Sequence, residues 1–284
     1  GAIIGGVMTL LGGARGPLAL GMVQEITGQS FTFMDWTLAA APLVLLMLLL
    51  TTLVLLVITP FEGVNVKCAR RCVEQRQLEL GNLEPRAWLM GTLLLGTIIA
   101  WMFGGHSTSL AAIALISVAA MFALRLVHWD EIEQHVSWSV VLMYGGAIAV
   151  GSALSISGAG AWLATHFFPA GLTGLALIIV LTLATLLLTE GVSNAAAVAI
   201  LLPIAIPVGI AAGIDPLTIA LAVGIIAGFA FMLPMGTPPN AMIYGTGFVQ
   251  RLAMLRFGGV LSLSALCLFV VIAWTWWPMI GFGI

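Results

Sequence analysis

The chain has 284 residues, 61% hydrophobic and 7% charged, with a formal net charge of −2. A soluble domain carries about 25% charged residues, so the composition excludes one. The net charge itself says nothing of partners, and no nucleic-acid partner is expected. Apolar runs of about 18 residues or more can cross ~30 Å of hydrocarbon as helix, and the alternating ~10-residue segments of a membrane barrel are absent. The fold class is therefore an all-α polytopic membrane protein in contact with the lipid bilayer.

The sequence opens at Gly1 inside an apolar segment, with no basic leader and no small-residue cleavage site. It reads as the downstream part of a longer protein. Residues 1–23 are apolar but interrupted by "GGARGP", and 24–36 form a polar connection with Glu25 and Asp35. A span follows at 37–59. Residues 60–87 hold Lys67, Arg70, Arg71, Arg76 and Arg86, five of the nine basic residues. Basic loops face the cytoplasm, so 60–87 is expected there, and Arg125, Arg251 and Arg256 then also fall inside. Spans are expected at 88–103, 109–126 and 137–155, with "HWDEIEQH" (128–135) interfacial and "SGAGAWLATHFFPAG" amphipathic. "EQRQLELGNLEPR" reads as a solvated or interfacial helix. The last span, 257–278, ends in "WTWWP", an aromatic interface anchor, and the tryptophans in general read as boundary markers.

Two stretches depart from simple spans. Residues 172–214 are two apolar arms around "TEGVSN". They form either two spans or one re-entrant hairpin, and the absence of Lys or Arg at the tip favours the hairpin. Residues 216–249 would run ~51 Å as one helix at ~1.5 Å per residue, too long for one span and too short for two. Pro234, Gly236, Thr237, Pro238, Pro239 and Asn240 crowd its middle, so a helix broken at 234–240 is expected. Unwound backbone at that depth must face protein or a wet cavity. The start of the chain repeats the pattern: "GGARGPLALG" (12–21) aligns without gaps to "GTPPNAMIYG" (236–245). The charge-based topology runs the two copies in opposite senses, as in an inverted-repeat transporter.

"TEGVSNAAAVAILLPIAIP" followed by "FMLPMGTPPNAMIYGTG", with "WSVVLMYGGAIAVGSALSISG" before them, resembles the divalent anion/sodium symporters, which carry dicarboxylates, citrate or sulfate. The resemblance covers essentially the whole chain, as the C-terminal three-fifths of such a transporter. It implies four parts: 1–59 as the end of the first repeat, 60–87 as a linker, 88–170 as scaffold spans, and 171–284 as the transport part. It implies secondary transport of a small divalent anion by alternating access, sodium as the coupling ion, a homodimer, and a bacterial inner membrane. Ser193, Asn194, Thr237 and Pro238 would contact substrate. Thr189, Val192, Asn194 and Gly236 would supply sodium oxygens, and Gly12 and Gly13 the matching loop of the first repeat.

Departures from the family pattern shape the remaining expectations. Ala195 stands where the motif has Thr, which leaves sulfate or another small oxyanion open beside dicarboxylates. The family's first hairpin lies outside this chain. Gly13 and Gly16 stand where Thr and Asn would be, and Arg15 stands beside the first sodium position. An arginine within a membrane marks a pathway or counter-ion. Arg15 would replace a sodium, pair with the anionic substrate, snorkel, or pair with a carboxylate in the half of the transporter outside this chain. Glu190 would bond the hairpin-tip backbone, pair with a cation, or carry a proton. His106, His128, His135 and His166 fall at interfaces without metal-ligand spacing, and Cys68, Cys72 and Cys267 read as free thiols. No H-E-x-x-H or G-x-S-x-G motif supports an intramembrane enzyme. A channel would need a continuous lined pore. The near alternatives are an anion exchanger and a proton-coupled carrier.

Overall fold

The computed structural model describes residues 1–58, 70–71, 74–75, 78, 84–104, 109–130, 138–159, 162, 166 and 174–283. These residues are helices and connections, with no strand among them. In chain order the helices are α1 (Ala2–Gly5), α2 (Arg15–Thr27), α3 (Phe33–Ile58), α4 (Pro85–Gly104), α5 (Leu110–Ala123), α6 (Trp138–Ile156), α7 (Leu175–Gly191), α8 (Asn194–Ala211), α9 (Pro216–Ile226), α10 (Pro238–Gly245) and α11 (Arg251–Thr275), then a 3₁₀ turn at Trp277–Ile280. Among the described helices, α3, α4, α8 and α11 are long and apolar enough to cross a membrane. The protein is an all-helical polytopic membrane protein.

The chain divides into two compact units, Gly1–Thr52 with Trp138–Ile284, and Leu53–Ser137. In the smaller unit α4 packs on α5. The Thr97 and Ser117 hydroxyls meet at 2.7 Å, Trp101 Nε1 donates to the Leu110 carbonyl, and Ser109 caps α5. Arg86 donates from Nε and Nη2 to the Leu126 carbonyl, closing the unit at its other end.

The larger unit is built around α9. Every residue from Thr218 to Ile226 is buried, as expected of a helix apolar on all sides. Asp215 caps α9 by accepting from the Thr218 N–H, and Pro216 occupies its first turn, where a missing N–H costs nothing. Helices α2, α7, α8 and α11 pack on it, and α6 packs on α2 and α8. The start of α3 is fixed by a reciprocal pair. The Thr32 N–H donates to Asp35 Oδ2 and the Asp35 N–H to Thr32 Oγ1, the capping-box arrangement with Asp in place of Glu.

Two of the tryptophans are buried in the protein core. Trp36 is fully buried, donates to the Val7 carbonyl, and stacks its ring over Gly224, where a Cβ would come within 2.8 Å of it. Trp277, from "WTWWP", is also fully buried and donates to the Ala39 carbonyl. Their indole N–H groups satisfy carbonyls of neighbouring segments, which sequence position alone does not reveal. Helix α11 also begins at Arg251, earlier than the expected 257. Cys267 is a free, exposed thiol, whereas Lys67, Cys68, Cys72, Arg76, His106 and His135 lie outside the described residues. His128 and His166 are exposed.

Candidate functional site

Helix α9 stops at Ile226 and α10 starts at Pro238. The unwound segment is therefore 227–237, and it begins before any proline. Pro238 and Pro239 open the new helix rather than end the old one. Thr237 caps α10 by accepting from the Asn240 N–H at 3.4 Å, and proline suits the first helical turn.

Eleven residues of open backbone need partners, and the surrounding side chains provide them. Glu190, near the end of α7, is buried and accepts from the N–H groups of Phe231 (2.9 Å), Met232 (2.9 Å) and Leu233 (3.0 Å). Ser262 of α11 donates to Glu190 Oε1 and to the Phe229 carbonyl. Asn240 Nδ2 donates to the carbonyls of Ala230 and Leu233. One carboxylate thus takes the donors and one amide takes the acceptors. Gly258 of α11 permits the approach, since a Cβ there would overlap the Phe231 carbonyl. Nothing in the sequence points to Ser262 or Gly258.

Beside this scaffold lies a cluster of oxygens. The buried Thr189 hydroxyl donates to the Ala227 carbonyl at 2.8 Å. The Asn194 amide reaches Ala227 O, Thr189 Oγ1 and Gly236 O at 3.1, 2.9 and 3.2 Å when its nitrogen is turned inward. With its oxygen turned inward instead, four oxygens converge with one hydroxyl proton among them. Amide orientation follows from the partners present. A cation would complete the second arrangement with the hard oxygen donors that suit it, unwound carbonyls included. The Ala227 carbonyl was invisible in the sequence because any residue could supply it. Val192 caps the end of α7, and its N–H donates to the Leu188 carbonyl.

The first break runs from Gly6 to Ala14, between α1 and α2. In the register that sets Gly12 on Gly236, its bonds match those of the second. The Gly12 N–H donates to Thr9 O, as the Gly236 N–H donates to Leu233 O. A Cβ on Gly12 would overlap the Gly6 carbonyl, and one on Gly236 would press on Ala230 at 3.1 Å. The carbonyl of Ala230 is held by Asn240, whereas the matching carbonyl of Gly6 is held by Arg15 Nη2 at 2.7 Å. Gly16 stands where Asn240 would fall, and any side chain there would overlap the Leu10 carbonyl. The donor has therefore moved one residue back and become a guanidinium.

Both breaks open on one cavity of about 590 Å³. Its lining includes Gly12, Gly13 and Arg15 from the first break, Gly228, Gly236, Thr237 and Pro238 from the second, and Ser193 and Asn194 at the start of α8. Thr189 and Val192 are not in that lining. Three helices, α2, α8 and α10, begin at the cavity. Their first turns point the positive end of the helix dipole toward it, although Pro238 and Pro239 leave α10 no free N–H to offer. Ser193 caps α8 by accepting from the Ala196 N–H, which leaves its hydroxyl proton to donate. Such a cavity suits an anion.

Comparison with known proteins agrees with this chemistry. The family described as sodium:sulfate symporter transmembrane region matches residues 1–282. The chain is 26% identical to an uncharacterized transporter of Haemophilus influenzae over 97% of this chain and 61% of that protein. It is 25% identical to the sodium-dependent dicarboxylate transporter SdcS of Staphylococcus saprophyticus over 95% of this chain and 56% of that protein. The SdcS of Staphylococcus aureus is 25% identical over 98% of this chain and 57% of its own length. The chain thus spans a little over half the length of the curated relatives it matches.

Proposed function

The chain belongs to the sodium:sulfate symporter family, and on that premise we propose that it forms the greater part of a secondary active carrier. The carrier binds a small divalent anion, a di- or tricarboxylate or sulfate, and couples its movement to sodium by alternating access. One observation carries this reading: three helix N-termini and a buried arginine converge on a single cavity. Ser193, Asn194, Thr237, Pro238 and Arg15 would hold the anion. Thr189, Asn194 and Gly236, with Ala227, would hold sodium through the oxygen cluster. Val192, at the turn between α7 and α8, would add a backbone oxygen.

The matched breaks support two repeats, run in opposite senses, with 172–214 as a re-entrant hairpin. The dependence on sodium named for SdcS supports sodium as the coupled ion, and the same relatives support dicarboxylates. The carrier would be a homodimer of a bacterial inner membrane, with 60–87 on the cytoplasmic side. A carrier of this design has no covalent step and needs no acid–base pair, so it is not an enzyme.

Thermal protection of the full-length protein in detergent tests the assignment. Succinate, citrate or sulfate should raise the melting temperature only when sodium is present, by linkage of ligand binding to folding. Asn194→Ala should abolish the protection in sodium. Equal protection in potassium and sodium would contradict the reading.

A further inference from the structure

Arg15 is only 6% exposed, yet no carboxylate answers it among the described residues. Of its five donors, Nη2 bonds the Gly6 carbonyl, while Nε is buried without a partner. Glu190, the buried carboxylate of the same unit, has its oxygens engaged by Phe231, Met232, Leu233 and Ser262. The guanidinium lies against the backbone of both breaks. A Cβ on Gly13 would come within 2.6 Å of Nη1, and one on Gly228 within 2.8 Å of Cζ. Gly228 directly follows Ala227, whose carbonyl belongs to the oxygen cluster. An arginine remains charged under any ordinary condition, and a buried cation without a counter-charge is strongly unfavourable. The cavity it lines is where that counter-charge would come from.

We propose that Arg15 is a fixed cation for the bound anion, set at the first break where the second has the neutral amide of Asn240, so that a dianion is balanced by Arg15 and travels with one sodium ion. The proposal rests on the sodium-coupled carrier reading above and adds the division of charge within it. At the second break a neutral amide, Asn240, holds the Ala230 carbonyl, and the cation comes from solution. At the first break the residue that holds the Gly6 carbonyl is itself the cation. The fixed charge stays behind when the cargo leaves. It lowers the number of ions the gradient must supply, and it holds the site electropositive when empty. Gly13 and Gly228 are the positions that admit the guanidinium, and Gly16 is what rules out an amide in the Asn240 position.

The test uses the full-length protein in liposomes with labelled succinate and labelled sulfate. Arg15→Gln keeps an amide donor for the Gly6 carbonyl, as Asn240 does for Ala230, and removes only the charge. It should raise KM for the transported anion by about tenfold or more, the range for a lost charge-assisted bond. Arg15→Lys, which keeps an ammonium donor but a shorter and differently shaped one, should raise KM less than Arg15→Gln does. Uptake by the unmodified protein should depend on sodium with a Hill coefficient of about 1, whose upper limit is the number of sites. A purely structural arginine predicts that Arg15→Gln leaves KM unchanged, and that result overturns the proposal. A sodium Hill coefficient approaching 2 in the unmodified protein also overturns it, even if Arg15→Gln fails to fold. Uptake that ignores sodium altogether would defeat the carrier reading itself, whatever the variants do.

Discussion

Glu190 receives three backbone N–H groups and one hydroxyl, and this sets what its removal does. In Glu190→Gln one of the accepting oxygens becomes an NH₂ facing donors. The buried N–H groups it leaves unpaired cost about 1–3 kcal/mol. The expected outcome is a clearly lower melting temperature and weaker sodium-dependent protection, read by thermal unfolding in detergent with and without sodium. A variant as stable as the unmodified protein would show that the carboxylate does not hold the break. The sequence marked Glu190 and Arg15 as residues to explain, since charges in apolar runs stand out. It did not reveal their partners. The roles open to Glu190 in the sequence were bonding the hairpin-tip backbone, pairing with a cation or carrying a proton; the partners it takes are the N–H groups of residues 231–233, far along the chain. Backbone oxygens such as Ala227 leave no signature, and Ser262 is one hydroxyl among several in its helix.

At the scale of elements, prolines and glycines announced both breaks, but their bounds follow from tertiary partners. Helix α9 ends at Ile226 because Glu190, Asn240 and Ser262 offer the following backbone better bonds than another helical turn would. The prolines at 238 and 239 then start α10. The approach of α11 is the steric part of this design. Gly258→Ala would drive a methyl group into the Phe231 carbonyl, where neither backbone can yield without moving a helix. Gly245, at the end of α10, has nothing within 4 Å of a Cβ. Gly258→Ala should therefore destabilise by more than about 2 kcal/mol, in the range for overpacking, and lower sodium-dependent uptake. Gly245→Ala should change stability by less than about 1 kcal/mol. Paired melting curves decide this, and equal effects would contradict the tight contact at α11. The burial of Trp36 and Trp277 in the core was not legible for a related reason. An indole at a helix end looks the same in sequence whether it meets lipid or a neighbouring carbonyl.

At the scale of the molecule, composition alone was enough for the membrane class, and the broken-helix and hairpin-tip motifs for the family. The resemblance implied that Gly12, Gly13, Arg15, Ser193, Asn194, Thr237 and Pro238 share a site, but how α2, α8 and α10 are held around α9 so that their starts meet on one cavity had no trace in the sequence. That convergence makes the cavity electropositive without a dense set of charged side chains. It places the oxygen cluster beside the anion position, so cation and anion would stabilise each other. On the proposed reading, coupling would follow from this proximity: each ligand would raise the affinity for the other by the same factor.

The most direct measurement of that central claim is uptake of labelled succinate, citrate and sulfate into liposomes holding the full-length protein, with an inward sodium gradient and with potassium in its place. The account predicts saturable accumulation of at least one of these dianions that requires sodium, disappears when the gradient is collapsed, and is impaired by Asn194→Ala. Accumulation of none of the three, or uptake at the same rate in potassium, would contradict it.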